Sequence, residues 1–406
     1  MPQKKTSRRS STFPRLPLDS VALPVDPDLA PLLLLLDSLE DPRRDHLKAY
    51  SLSHVLALSV IGMLAECENW VEIADFGKLR QEWFASHGLF VDGTPSHDTL
   101  GRIFRLLDAT VFARCFASWI QQAVGPVSGV VAIDGKTSRA SGDGDLAKAI
   151  HTVSAWSSET GVTLAQVATA EKSNEITAIP QVLDLIAVKG CTVTIDAMGC
   201  QKDIAEKIRQ RGGEYLLQVK DHQPSTRSDL IDFFTDADQR GWKDIEHTTF
   251  TTVDKKNNHG RHEVRTAWAC PVRGPWMDSH QWTDLCQIVR INRQRTVGKK
   301  TTNEDHYYIT SDHRDAAHQL SCARQHWGIE NRCHWVLDVA FNEDRSRVRK
   351  NHAAHNLVTI RRFVLNLLRL EPSDKGIKRR RKSAGWDLNY LIQLLARIAA
   401  PVSLGE

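Results

Sequence analysis

The sequence predicts an α/β protein: a mixed β-sheet covered by helices, with a β-rich insertion, preceded by a small all-α region. Three observations carry that reading. From Asp28 to about Val124 apolar residues recur at helical spacing, as in Ser53–Leu64; after Pro126 the pattern switches to short β-branched runs alternating with amphipathic stretches. Within about 240–312 it becomes strand-like again without helices, and then returns to helix.

Residues 1–27 are polar, basic and dotted with prolines, and residues 1–15 hold Lys4, Lys5, Arg8, Arg9 and Arg15 without one acid. Such a segment reads as a disordered basic tail, or as one that binds phosphate backbones. Residues 28–125 form the helical N-terminal domain, with helices expected over Ser53–Leu64, from Trp70 to Gly77, after the Thr94-Pro-Ser-His-Asp cap, and over Ala109–Val124. Short helices joined by tight polar turns suit a helix-turn-helix unit or a plain bundle equally.

The first strand, Val130 to Asp134, opens on four consecutive apolar residues and reads as buried on both faces, ending at the acid. A hairpin follows, Ala149–Trp156 and Val162–Ala170 around Ser157–Gly161, then a helix over Ile176–Val188. Strand four, Thr192 to Asp196, repeats the apolar run into an aspartate. A helix over Gln201–Arg211 stops at Gly212-Gly213, and strand five is Tyr215–Val219. This order makes a sheet with antiparallel first strands and a parallel remainder. Further strands are expected at Thr248–Val253, Arg261–Ala269 and Gln287–Asn292, and helices at Pro224–Phe234, Ala316–Val339 and Asn351–Leu370. Residues 371–406 read as a basic C-terminal tail with a helix.

A formal charge of +4 does not by itself argue for nucleic acid, but the stretch from Arg345 to Lys382 is far more basic than average. Eight cysteines without a CxxC pair suit reduced thiols in a cytoplasmic protein. No apolar run approaches a membrane span, and Leu32–Leu36 is too short for a signal-peptide core.

A carboxylate at the tip of a buried strand is costly unless a cation meets it. Asp134 and Asp196 could lie side by side at one sheet edge. A third acid is available on the Ala316–Val339 helix, where Trp327, Glu330, His334 and Asp338 recur at three- or four-residue spacing. Cleaving a phosphodiester needs a clamp on the attacking and leaving oxygens, which two divalent ions about 4 Å apart provide. Magnesium needs few carboxylates for this. The plainer reading of the helix is an amphipathic one in which Glu330 pairs with His334 or Arg324.

The succession Asp134-Gly-Lys, Asp196, β-rich block, His326-Trp-Gly-Ile-Glu-Asn331, His334-Trp-Val-Leu-Asp338 and Phe341-Asn-Glu-Asp344 resembles the DDE transposases of bacterial insertion sequences, specifically the ISAs group with its H-repeat-associated proteins. Asp41-Pro-Arg43, Trp70–Gly77 and Leu106-Leu-Asp108 resemble the helical domain that accompanies it. The likeness spans roughly residues 30–370. It implies a ribonuclease-H-like catalytic domain over 126–370, with Asp134, Asp196 and Glu330 as catalytic ligands of two Mg²⁺ or Mn²⁺ ions. It further implies cleavage at the ends of an element and transfer of the freed 3′ hydroxyls into target DNA. The expected partners are double-stranded DNA, both terminal inverted repeats and target, and a second copy of the chain. A DNA-binding relative without chemistry and a metal-dependent nuclease without strand transfer are the alternatives.

Related transposases carry a tyrosine and an arginine seven and four residues before the glutamate and a lysine seven after; here those places hold Ala323, His326 and Leu337. Arg324, His326 and His334 are the nearby candidates for gripping DNA. Lys136 either touches a phosphate or pairs with an acid. Arg345, Arg347, Arg349 and Lys350, with Arg361 and Arg362, form a DNA-facing set or a soluble basic surface. Asp338, Glu343 and Asp344 either orient the metal ligands or make salt bridges, and Asn303–Asp305 and Asp143–Asp145 read as solvated loops.

Overall fold

The computed structural model describes residues 27–142, 149–169, 175–254, 261–272 and 281–399. The basic residues Lys4 to Arg15 and the acids Asp143 and Asp145 lie outside the described residues.

One nine-stranded sheet organises the chain, in the order β3-β2-β1-β4-β5-β9-β8-β7-β6. Strand β1 (Val130–Ser138) pairs antiparallel with β2 (Ile150–Ser157), which pairs antiparallel with β3 (Thr163–Thr169). On its other side β1 runs parallel to β4 (Thr192–Ile195), and β4 parallel to β5 (Glu214–Val219). Three antiparallel strands followed by two parallel ones, with helices in the crossovers, is the ribonuclease-H-like arrangement. The β-rich block is not a separate sheet. Its strands β6 (Thr248–Val253), β7 (Arg261–Pro271), β8 (Gln287–Val297) and β9 (Lys300–Thr310) extend the central one, because β9 pairs antiparallel with β5.

Two differences from the expected strands have physical causes. Strand β1 does not stop at Asp134 but continues through Gly135 and Lys136 to Ser138, its full length paired with β2. Its second half looks polar in sequence because its partners are buried charges rather than apolar side chains. Strand β9 was read in part as a solvated loop at Asn303–Asp305. Those residues are exposed, yet they face β8, with Asn292 donating to Asp305 at 2.8 Å and Arg293 to Glu304 at 2.6 Å. A ribbon wet on both faces has no alternation to betray it.

The helical region begins with α1 (Ala30–Asp37), α2 (Leu52–Leu64), α3 (Trp70–Leu79), α4 (Gln81–Ser86), α5 (His97–Leu106) and α6 (Ala109–Val124). Side-chain caps from Asn69, Ser96 and Asp108 accept the first free amides of α3, α5 and α6. Helix α2 is apolar almost all round and is buried accordingly. Helices α7 (Glu175–Asp184) and α8 (Lys202–Gln210) fill the crossovers on one sheet face, and α9 (Pro224–Gln239) follows β5. Helix α10 (Ala316–Gly328) crosses the opposite face over β1, β4 and β7.

It runs without a break through a π-helical turn, Ile329–His334, into α11 (Trp335–Phe341). Helix α12 (Ala353–Leu370) then packs among α2, α5 and α6. Where a basic tail with one helix is expected, two helices, α13 (Ile377–Trp386) and α14 (Leu388–Ala396), pack back on this bundle. Arg361 and Arg362 on α12 are 2 % and 0 % exposed, so neither faces DNA. No helix among the described residues is long and apolar enough to cross a membrane.

Candidate active site

Alternation along a strand puts Asp134, Lys136 and Ser138 on the sheet face that α10 and α11 cover. Gly135 and Thr137 face the other way. The parallel register pairs Ile133 with Ile195, so Asp134 and Asp196 leave neighbouring strands side by side. Asp196 also caps the turn after β4, accepting from Met198 N at 3.1 Å and Gly199 N at 3.4 Å, which fixes its orientation.

The helix that supplies Glu330 comes close because the contact residue is a glycine. A Cβ on Gly328 would stand 2.6 Å from Trp156 of β2. His326, one turn before Glu330, is held by Thr194 of β4 at 3.0 Å, and His334, one turn after it, has Nδ1 3.4 Å from Asp134 Oδ2. Glu330 lies between these anchors, in the π turn, a distortion found often at functional sites.

Electrostatic effects link Asp134 and Glu330 to Asp196. Burial, then the charges of Asp196, Glu330 and Glu175, push the Asp134 carboxyl up to about 7. Burial and Asp196 also raise Glu330, while Lys220 works the other way. Mutual repulsion of three acids is what an uncompensated anionic site produces. The oxygen donors are of the hard type that divalent Mg²⁺ or Mn²⁺ takes. They act on one another in pairs. Among the described residues no three His, Cys, Asp or Glu side chains already close on a single point.

The basic candidates separate into two groups. Lys136 is only 7 % exposed and donates to both oxygens of Asp338, at 2.7 and 2.8 Å, with Asp344 at 3.5 Å, so it pairs with acids and does not face a phosphate. His326 is held at about 4 by burial. His334 is lowered further by burial and by the charges of Arg362 and Lys136. Both are therefore neutral at physiological pH and are not cationic grips. Arg324 lies in a cleft of about 460 Å³ between α10 and the β7–β9 ribbon, with Arg265, Arg293, Arg295, His306 and the half-exposed Trp327, and pairs with Asp254 at 3.3 Å. Arg345, Arg347, Arg349 and Lys350 are exposed on the segment after α11.

Two features were missed. Lys220 follows β5 at the same sheet edge as Asp196; the strand-end reasoning applied to the two aspartates would have found it. Beneath Asp134, His151 Nε2 meets Glu175 Oε1 at 2.6 Å, both nearly inaccessible, while Thr137 holds Nδ1 at 2.9 Å. A Cβ on Gly135 would lie 2.4 Å from Glu175 Oε1 and 2.5 Å from His151 Nε2. Gly135→Ala is therefore expected to cost about 1 to 3 kcal/mol by overpacking, read as a lowered denaturation midpoint in urea.

Comparison with known proteins gives the family of the chain. Residues 101–367 match the family described as transposase DDE domain, and residues 33–120 the family described as DDE_Tnp_1-associated. The chain belongs to the transposase DDE domain family. This DDE transposase is 38% identical over 372 residues to YncI of Escherichia coli O157:H7, which carries a transposase name, covering 90% of this chain and 94% of that one. It is 34% identical over 377 residues to the H repeat-associated YhhI of Escherichia coli K12, which also carries a transposase name, covering 91% and 98%. A cryo-EM structure of the piggyBac transposase synaptic complex with hairpin DNA aligns over 92% of this chain and 79% of that chain, with 10% identity and a TM-score of 0.42.

Proposed function

We propose that this DDE transposase cuts the ends of its own insertion sequence and joins the freed 3′ hydroxyls to target DNA, with Asp134, Asp196 and Glu330 as the ligands of two Mg²⁺ or Mn²⁺ ions. The observation that carries the reading is the parallel register of Ile133 with Ile195, which sets Asp134 and Asp196 at the ends of neighbouring strands, with Glu330 near enough to help raise the Asp134 carboxyl. Bound divalent cations would supply Lewis acidity and charge neutralisation at the scissile phosphate.

The protein's own residues supply position. Asp196 is oriented by the turn it caps, and His334, neutral and buried, fixes the carboxylate of Asp134 without competing as a cation. No side-chain nucleophile is required, since water and then the DNA 3′ hydroxyl attack phosphorus. Lys220, on the open edge, offers a positive charge to the strand backbone. The cleft with Arg324 and Trp327 and the exposed Arg345, Arg347, Arg349 and Lys350 extend that surface for duplex DNA. Two ends handled together imply a homodimer on DNA, and chromosomal DNA as substrate implies the cytoplasm.

The test is an in vitro assay with labelled element-end duplexes, a target plasmid and Mg²⁺. Nicking at the element boundary followed by joined product supports the proposal. Nicking without joining would reduce the protein to a nuclease, and DNA binding without either to an inactive relative. In the same assay Lys220→Ala is expected to weaken end binding, with the slope of log affinity against log salt falling by about one counterion.

A further inference from the structure

Along β1, residues two apart share a face and are separated by about 6.6 Å. Along the covering helix, residues four apart advance by about 6 Å. The two repeats match, and the chain uses the match. Asp134 meets His334 at 3.4 Å, Lys136 meets Asp338 at 2.7 and 2.8 Å, and just past the helix end Ser138 Oγ donates to Glu343 Oε1 at 3.1 Å. The far end is closed by Arg362, which donates to Glu343 at 3.3 Å, both side chains being 0 % exposed.

Reading one step back along the same row reaches Glu330 on the helix and Ala132 on the strand, where no polar side chain exists to meet it. Its carboxylate is left to the neighbouring strand, whose Asp196 acts on it electrostatically. On a regular α-helix an i+4 row drifts by about 40° per step. The wider turn at Ile329–His334 interrupts that drift, so positions 326, 334 and 338 all reach the sheet, with Glu330 in the same row between the first two.

We propose that Lys136 and Asp338 are positioning residues that lock the register of the Glu330 helix on β1, so that a slip by one step is prevented and the third carboxylate is held within reach of the two aspartates. This rests on the metal-site reading above for its consequence, not for its geometry. A phosphate-binding role for Lys136 competes with it, and the burial of the ammonium between Asp338 and Asp344 stands against that alternative.

The experiment uses the full chain with Lys136→Met, Asp338→Asn and the exchange Lys136→Asp with Asp338→Lys. Two quantities are read: Mn²⁺ affinity by electron paramagnetic resonance without DNA, and hydrogen exchange of the 329–334 amides. Each single variant should weaken Mn²⁺ about tenfold, the effect expected when the partner that orients a ligand is lost. It should speed exchange across the π turn and leave end-duplex binding as in wild type, and the exchanged pair should recover both readouts.

Unchanged exchange and affinity in Asp338→Asn, which preserves volume and decides the matter if Lys136→Met does not fold, would overturn the lock. So would loss of duplex binding by Lys136→Met with the 329–334 amides undisturbed. If wild-type protein takes up no Mn²⁺, the metal-site reading fails, while exchange in the variants still judges the lock.

Discussion

Glu330→Gln is expected to abolish Mg²⁺-dependent strand cleavage, by at least about a thousandfold, on the order of 4 kcal/mol of barrier, while leaving element-end binding intact. The substitution keeps the volume and shape of the side chain but removes its charge and turns one acceptor oxygen into a donor amide. Glu330 is exposed and its side chain makes no hydrogen bond or ion pair among the described residues, whereas its helix is fixed by His326, His334 and Asp338. Removing one negative charge also relieves Asp134, whose carboxyl Glu330 helps to raise. Stability should therefore be unchanged or slightly higher. Gel-shift and nicking assays on one preparation separate the two effects, and loss of both together would mean that Glu330 serves DNA binding instead.

Arg381→Ala is expected to have the largest effect on stability, on the order of 3 kcal/mol or more. Its guanidinium is 1 % exposed and donates to Met63 O at 2.9 and 3.0 Å, to Cys67 O at 3.2 Å and to Ala340 O, with Phe341 beneath it at 4.2 Å. Those carbonyls lie at the C-terminal ends of α2 and α11, where unpaired acceptors gather and a cation is favoured. One side chain from α13 therefore ties the N-terminal bundle to the helix that carries Glu330. Truncation would leave buried acceptors unpaired and a cavity behind them. Urea unfolding followed by circular dichroism gives the loss, and cleavage at permissive temperature should fall as well because α11 loses an anchor.

Much of this was legible in the chain. The apolar runs before Asp134 and Asp196 mark buried parallel neighbours, and the pairing of Ile133 with Ile195 sets their acids together. The capped start of α6 and its full length follow from Asp108 and the apolar period. What the sequence hides is charge that points inward. Arg361 and Arg362 read as a basic surface, and Arg381 as part of a basic tail, because burial of an arginine depends on acceptors elsewhere in the chain: the carboxylate of Glu343 and the carbonyls of Glu68, Met63 and Cys67. Lys136 was ambiguous for the same reason, its partner lying 202 residues away. The continuation of β1 past Asp134 belongs to this class too. A polar stretch stays in the sheet when the covering helix supplies the opposite charges, and no local pattern announces that.

Mn²⁺ binding followed by electron paramagnetic resonance on the protein bound to an element-end duplex shows whether Asp134, Asp196 and Glu330, from three separate elements, share one divalent-cation site, as proposed. The wild type should bind two ions per active site, and Asp134→Asn, Asp196→Asn and Glu330→Gln should each lose or weaken at least one of them. Full occupancy at unchanged affinity in any one of the three variants would contradict the account.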